Sequence, residues 1–238
     1  MNLLAIRDLL GSASRIAALT GAGSSAESGI PTFRGAGGSW RGYKAENFAT
    51  PGAFARDPKL VWEWYDWRRE VIARVEPNAA HRALAKIEES AREFTLITQN
   101  VDGLHDRAGS RNILKVHGDI WTIRCIACGS ERSDLRSPLR AIPPLCSCGG
   151  LERPGVVWFG EALPEQVWAG AQRAAMNADV LLVVGTSAVV YPAAGLVSRA
   201  KFTGKKVIEI NIEETPVSTL VDFSVRAPAA VVLPQLIP

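Results

Sequence analysis

Histidine is scarce in this chain, with only His81, His105 and His117 among 238 residues. Any proton transfer that needs an imidazole near neutral pH must draw on one of these three. Charge of one sign is missing too. Lys and Arg number 27 against 24 Asp and Glu, a net charge of +3, which is too balanced to argue for a nucleic-acid partner. No apolar run approaches the length that spans a membrane. The first residues, Met1 to Asp8, lack the basic start and long apolar stretch of a secretory signal. A cytoplasmic protein with no membrane partner is therefore expected. Low-complexity segments, internal repeats and long charge blocks are absent. The 47% hydrophobic content is that of a globular chain, and its length suffices for a substantial buried core.

Cysteine is confined to four positions within 24 residues: Cys125, Cys128, Cys146 and Cys148. In a cytosolic chain such clustering suggests a metal before a disulfide. Four thiolates close a tetrahedral site, which makes a zinc ion structural, and no histidine lies in the cluster to suggest a catalytic one. The second pair is separated by Ser147 alone, so its loop must be tight, and Gly149 and Gly150 offer backbone for it. The alternative is a site that is lost or redox-active.

Several short apolar segments read as buried parallel strands: Ile16 to Thr20, Phe94 to Thr98, Val180 to Val184 and Val207 to Asn211. Helical periods over Asn78 to Ala91 and Pro164 to Ala178 alternate with them. That alternation predicts a doubly wound α/β fold, a Rossmann-like parallel sheet. Gly21-Ala22-Gly23, followed by Ala26, forms a dinucleotide fingerprint just after the first strand, where glycine permits a sharp turn and close approach to a pyrophosphate. Gln99–Asp102, Gly185–Ser187 and Asn211–Glu213 also follow strands. All four motifs should meet at the carboxyl edge of the sheet and form one ligand site. Two stretches interrupt the pattern, an aromatic helical one and the cysteine-bearing one. They are expected to form a smaller module from residues 36–76 and 121–153, against a Rossmann-like part of 1–35, 77–120 and 154–238.

The continuation Ser28-Gly29-Ile30-Pro31-Thr32-Phe33-Arg34-Gly35 is more specific than the glycine pattern. It resembles the sirtuins, NAD-dependent protein lysine deacylases. Further segments match in order: Thr98 to His105, Val116-His117-Gly118, Pro154 to Glu161, Gly185-Thr186-Ser187 and Asn211-Ile212-Glu213. The resemblance runs from about Leu9 to Pro234. It implies that NAD is consumed as a co-substrate, that acyl-lysine proteins are the partners, that the chain is a monomer, and that the cysteines hold one structural zinc. His117 falls at the family's general base. Asn100 would position the ribose or a water, Asp102 would hold the nicotinamide carboxamide, and Gln99 and Val101 line the same pocket. Phe33 would cover the ribose and Arg34 face the phosphates or ribose, with Ala22, Ser25, Glu27, Thr32 and Trp40 also at the cofactor. Gly185, Thr186 and Ser187 would meet phosphates and adenosine ribose, and Asn211, Ile212 and Glu213 the adenosine ribose. Ala229 aligns with a backbone contact to NAD. His81 and His105 receive no catalytic role.

Val157, Trp158, Phe159 and Gly160 would receive the substrate peptide, with the acyl-lysine stem in an apolar tunnel and Gly160 leaving room for the peptide strand. Tyr65 and Arg68 lie three apart and share a helix face. This Tyr-x-x-Arg pattern, with the small Ala49 nearby, resembles the class III sirtuins that remove succinyl, malonyl and glutaryl groups; bacterial and archaeal members imply deacetylation as well. An arginine fork and a phenol hydroxyl suit a carboxylate. The competing reading is an amphipathic helix whose arginines pair with Asp66 or Glu70 at the surface. For the whole chain, the alternatives are an NAD or ADP-ribose sensor, a zinc-ribbon protein binding nucleic acid, and an NAD glycohydrolase or ADP-ribosyltransferase.

Overall fold

The computed structural model describes residues 3–32, 39–40 and 43–237. The elements run α1 (Leu3–Ser12), β1 (Arg15–Thr20), α2 (Gly23–Ala26), β2 (Ser39–Trp40), β3 (Tyr43–Lys44), α3 (Pro51–Arg56), α4 (Pro58–Ala73), α5 (Ala79–Ser90), β4 (Glu93–Thr98), α6 (Leu104–Arg107) and β5 (Ile113–Lys115). They continue with β6 (Gly118–Cys125), β7 (Glu131–Ser133), β8 (Glu152–Val156), α7 (Glu165–Asn177), β9 (Val180–Val184), α8 (Gly195–Phe202), β10 (Lys206–Asn211), β11 (Phe223–Arg226) and α9 (Ala229–Val232).

Six strands form one parallel sheet in the order β11-β10-β9-β1-β4-β5. Strand order reverses at β1: the chain moves outward through β4 and β5, then returns to β9 and continues the other way. Alternate residues of each central strand enter opposite cores. Ile16, Ala18, Leu96, Leu182 and Ile208 pack with Leu10 of α1 and Leu84 and Ile87 of α5. Ala17, Leu19, Ile97, Leu181 and Val207 pack with Ala171 and Ala175 of α7 and Leu196 and Val197 of α8. Burial on both faces explains why these strands read as continuous apolar runs. The edge strands β5 and β11 lack such runs, being short and only partly covered, and the apolar pattern does not mark them.

The predicted helix over Asn78 to Ala91 begins one residue later because Asn78 is its cap. Asn78 Oδ1 accepts from Ala80 N at 2.8 Å, while His81 Nδ1 accepts from Asn78 N at 3.2 Å, a reciprocal capping box.

A third core gathers Phe48, Phe54, Trp62, Trp64, Tyr65 and Ile72 against Ile120, Ile123 and Val156 of the β7-β6-β8 sheet and Trp158 just beyond β8. At its centre lies Arg69, whose side chain is fully buried. Its Nε donates to Ile120 O at 3.0 Å and its Nη2 to Asp134 O at 2.5 Å. The guanidinium also lies 5.2 Å from the Trp121 ring centroid and 5.9 Å from that of Trp62. Surface pairing of α4 arginines with Asp66 is thereby corrected for Arg69: Asp66 accepts from Leu139 N instead, at 2.9 Å. Removing Arg69 takes away the donors to the Ile120 and Asp134 carbonyls. Arg69→Met is expected to lose about 3 kcal/mol of stability, a fall in Tm of roughly 10 °C by differential scanning calorimetry.

Candidate functional site

The carboxyl ends of β1 and β9 are adjacent, and the turns that leave them press together. Gly21 N donates to Val184 O at 3.1 Å and Gly23 N to Gly185 O at 2.8 Å. A Cβ on Gly23 would stand 2.8 Å from Gly185 O, and one on Gly185 only 2.3 Å from Ser24 N. Gly185 also has φ +57°. The immediate need for glycine is thus the contact of one turn with the other, in addition to any approach of a pyrophosphate.

Asn100 is tied into this junction from the neighbouring strand end. Its Nδ2 donates to Gly21 O and Ser24 Oγ, each at 3.1 Å, and to Ser25 Oγ at 3.2 Å. With its hydrogens turned inward, Asn100 keeps its carbonyl oxygen as the remaining side-chain acceptor. Gln99 Nε2 donates to Thr186 Oγ1 at 3.0 Å, joining the turn after β4 to the turn after β9.

Asp102 is buried. Its Oδ1 accepts from Leu104 N at 2.9 Å and its Oδ2 from Ser25 Oγ at 2.8 Å. Burial pushes its carboxyl above the usual range, against the pull of those bonds and of the Arg68 charge. Ser25 Oγ also meets His81 Nε2 at 3.2 Å. Because His81 Nδ1 accepts from Asn78 N, Nε2 carries the hydrogen and donates to Ser25. Burial lowers His81 to about 4, so the ring is neutral. A His81–Ser25–Asp102 chain therefore supports the site. Helical spacing does not reveal this role of His81, whose partner Ser25 lies 56 residues away. His105 packs against it at 4.7 Å between ring centroids and bonds Thr20 Oγ1 at 3.0 Å, in keeping with its structural assignment.

His117 is half-buried where the chain passes from β5 to β6. Its Nδ1 lies 3.1 Å from Gln99 O, which can only accept. Nδ1 therefore bears the hydrogen and Nε2 bears the lone pair. Burial holds this imidazole below its ordinary value, opposed by the Gln99 bond. His117 O accepts from Val157 N at 2.9 Å, bringing the 157–160 segment alongside.

On the adenosine-side candidates, Asn211 Nδ2 donates to Glu213 O at 2.9 Å, and Ile212 is exposed. Ser187 is half-buried beside buried Thr186. Glu27 Oε1 accepts from Ala230 N at 3.1 Å, tying the turn after α2 to α9, which begins at buried Ala229. Ala22, Thr32 and Val101 are all half-buried. Phe33, Arg34 and the side chain of Trp40 lie outside the described residues.

Tyr65 and Arg68 do share a face of α4. Arg68 lies 5.1 Å from the Trp64 ring centroid and 5.9 Å from that of Tyr65. Burial acts against the Arg68 charge, partly offset by Tyr65 and Asp102. Burial likewise pushes the Tyr65 phenol up to about 12, so it is protonated at neutral pH. Trp158 is buried, while Phe159 is half exposed and its N donates to Ala49 O at 2.9 Å. Nothing stands within 4 Å of where a Gly160 Cβ would be, so the position is open, and its φ of +87° also favours glycine there.

The four cysteine sulfurs lie within 4.8 Å of one another. Cys125 Sγ and Cys148 Sγ are 3.6 Å apart, and Cys128 Sγ and Cys146 Sγ 3.8 Å. Thiolates on a tetrahedral zinc at about 2.3 Å stand roughly 3.8 Å apart, so each sulfur of the Cys-x-Cys pair lies at a fitting distance from one sulfur of the first pair. Gly149 turns the loop with φ +83°, and a Cβ on Gly150 would reach 3.0 Å from Cys125 Sγ and 2.6 Å from Ala127 Cβ. Arg132 and Arg136 near the cluster are engaged with Asp134 and Glu152, which weakens the nucleic-acid alternative. Gly150→Ala should crowd the sulfurs and speed zinc loss to a chelator by roughly tenfold. Atomic emission and a chelator titration check this.

Comparison with known proteins agrees with this geometry. Residues 21–192 match the Sir2 family. The chain is 56% identical over 216 residues, 90% of either chain, to the NAD-dependent protein deacylase of Aquifex aeolicus (strain VF5). It is 53% identical to NAD-dependent protein deacylase 2 of Pyrobaculum aerophilum, over 98% of this chain and 93% of that protein. Among solved structures, a Sir2 homologue in complex with NAD superposes with a TM-score of 0.94 at 47% identity, covering 98% of this chain and 92% of that one. A complex described as Sir2, p53 peptide and NAD+ gives 0.90 at 32% identity, over 100% and 98% of the two chains. This chain, with its doubly wound sheet and cysteine-bearing module, belongs to the Sir2 family.

Proposed function

We propose that the chain is an NAD-dependent protein-lysine deacylase that accepts acidic acyl groups, succinyl and malonyl, as well as acetyl. The observation that carries the deacylase reading is the hydrogen bond between His117 Nδ1 and Gln99 O, which sets His117 beside the turn after β4 that also carries Asn100 and Asp102. Bound NAD supplies an activated ribose carbon from which nicotinamide leaves when the acyl oxygen attacks. The residues then divide the work. Asn100 Oδ1 accepts a hydrogen bond from a ribose hydroxyl or a water. Asp102 receives the carboxamide. His117, with its lone pair on Nε2, takes a proton from a ribose hydroxyl, directly or by relay. That hydroxyl attacks the acyl carbon, a water molecule completes release of the lysine amine, and the products are nicotinamide, free lysine and O-acyl-ADP-ribose. The cysteine-held zinc keeps the small module folded and takes no part in the chemistry.

For the acyl group, Arg68 and Tyr65 support an anionic chain end. Arg68 is half-buried, burial acts against its charge, and the carboxylate of an acidic acyl group would add charge-assisted bonds there. Mass spectrometry of matched succinyl-lysine and acetyl-lysine peptides tests this. Arg68→Met is expected to lower kcat/KM for the succinyl peptide by roughly 10- to 100-fold, the value of a hydrogen bond to a charged group, with a much smaller effect on the acetyl peptide. Equal effects on both would move the pair to a packing role.

A pH profile tests the base. His117 must be neutral to act, and burial lowers its affinity for a proton. Activity should rise with pH through a limb below 6.5, the ordinary histidine value, and be flat above it. A limb above 6.5 would remove His117 from that role.

A further inference from the structure

Tyr65 could meet a ligand as donor or acceptor, and the structure decides which. Trp158 Nε1 donates to Tyr65 Oη at 2.9 Å. An indole nitrogen carries a hydrogen and no lone pair, so this bond has one possible direction. The phenol oxygen is the acceptor, and the phenol hydrogen stays available for another partner. A second hydroxyl in place of Trp158 would leave the direction free to reverse.

The indole itself is held rigidly. Arg153 lies over its face, 3.3 Å from the ring centroid. Glu161 grips Arg153 with both oxygens, at 2.5 and 2.9 Å, and its Oε2 also accepts from Trp158 N at 2.8 Å. Phe54 packs at 5.3 Å between ring centroids. A cation on the ring face draws electron density from the indole and strengthens its N–H as a donor. None of these residues needs to touch an acyl group to act on it.

We propose that Trp158 is a positioning residue for acyl selectivity: its indole N–H fixes Tyr65 Oη as an acceptor and thereby presents the phenol O–H, beside Arg68, as a second donor to the carboxylate of an acidic acyl group. The inference rests on the acidic-acyl reading above and gives Trp158 a polar function in place of a wall of the lysine tunnel. Phenylalanine at 158 keeps an aromatic ring against Phe54 and Arg153 and removes the directing donor with the rest of the indole's second ring, a packing change that the double variant separates from the lost donor.

The test is the ratio of kcat/KM for succinyl-lysine to that for acetyl-lysine, measured on the same preparation so that the folded fraction cancels. It is measured in four proteins: wild type, Trp158→Phe, Tyr65→Phe and the double variant. Trp158→Phe is expected to lower the ratio by roughly tenfold, the size of one hydrogen bond to a charged group. In the Tyr65→Phe background the same change should leave the ratio unmoved, because the hydroxyl it directs is gone. A ratio that falls equally in both backgrounds overturns the proposal and puts Trp158 in direct contact with the chain end. A wild type that desuccinylates while Trp158→Phe keeps its ratio overturns it as well. A wild type that acts on acetyl-lysine alone removes the underlying acidic-acyl reading and the inference with it, and the wild-type measurement by itself distinguishes that case.

Discussion

The turns after β1 and β9 touch backbone to backbone, with Gly23 N on Gly185 O at 2.8 Å, and the site is assembled around that contact. No side chain fits between them, so the two halves of the sheet meet at the point where strand order reverses. Asn100 reaches into the junction through Gly21 O and Ser24 Oγ, and Gln99 clasps Thr186 across it. Gln99 O then sets the tautomer of His117. A ligand entering here meets groups already oriented by one another, which is the preorganisation that catalysis by positioning needs.

Buried charges organise the other half of the cleft. Arg69 joins α4 to β6 and to the segment beyond β7 through two backbone carbonyls. Asp134 in that segment is held by Arg132 and Arg136, and Arg132 reaches Glu152 at the start of β8. Arg153, the next residue, stacks on Trp158 above Tyr65. Buried cations without partners are costly, and the two buried here, Arg69 and Arg153, are met by carbonyls, a carboxylate and aromatic rings.

Much of this was legible in the sequence for a physical reason. Strands covered on both faces must be apolar throughout, so β1, β4, β9 and β10 announce themselves, and the motifs after them locate the site. The Tyr65–Arg68 pairing follows from helical spacing alone. Helical spacing could not reveal Arg69, one residue further along, because its partners at Ile120 and Asp134 lie 51 and 65 residues away. His81 was hidden in the same way: a residue that caps its own helix and supports Ser25 has no local signature of the second task. Gly160 carries a reason the sequence does not show: beside the open space around it, its backbone angle of +87° favours glycine.

The most direct test of the account is the stoichiometry of products with an acyl-lysine peptide and NAD. Nicotinamide, deacylated peptide and O-acyl-ADP-ribose should appear in equal amounts, and nicotinamide should not accumulate when the peptide is omitted. Nicotinamide and ADP-ribose released at the same rate without peptide would contradict it and make the chain an NAD glycohydrolase.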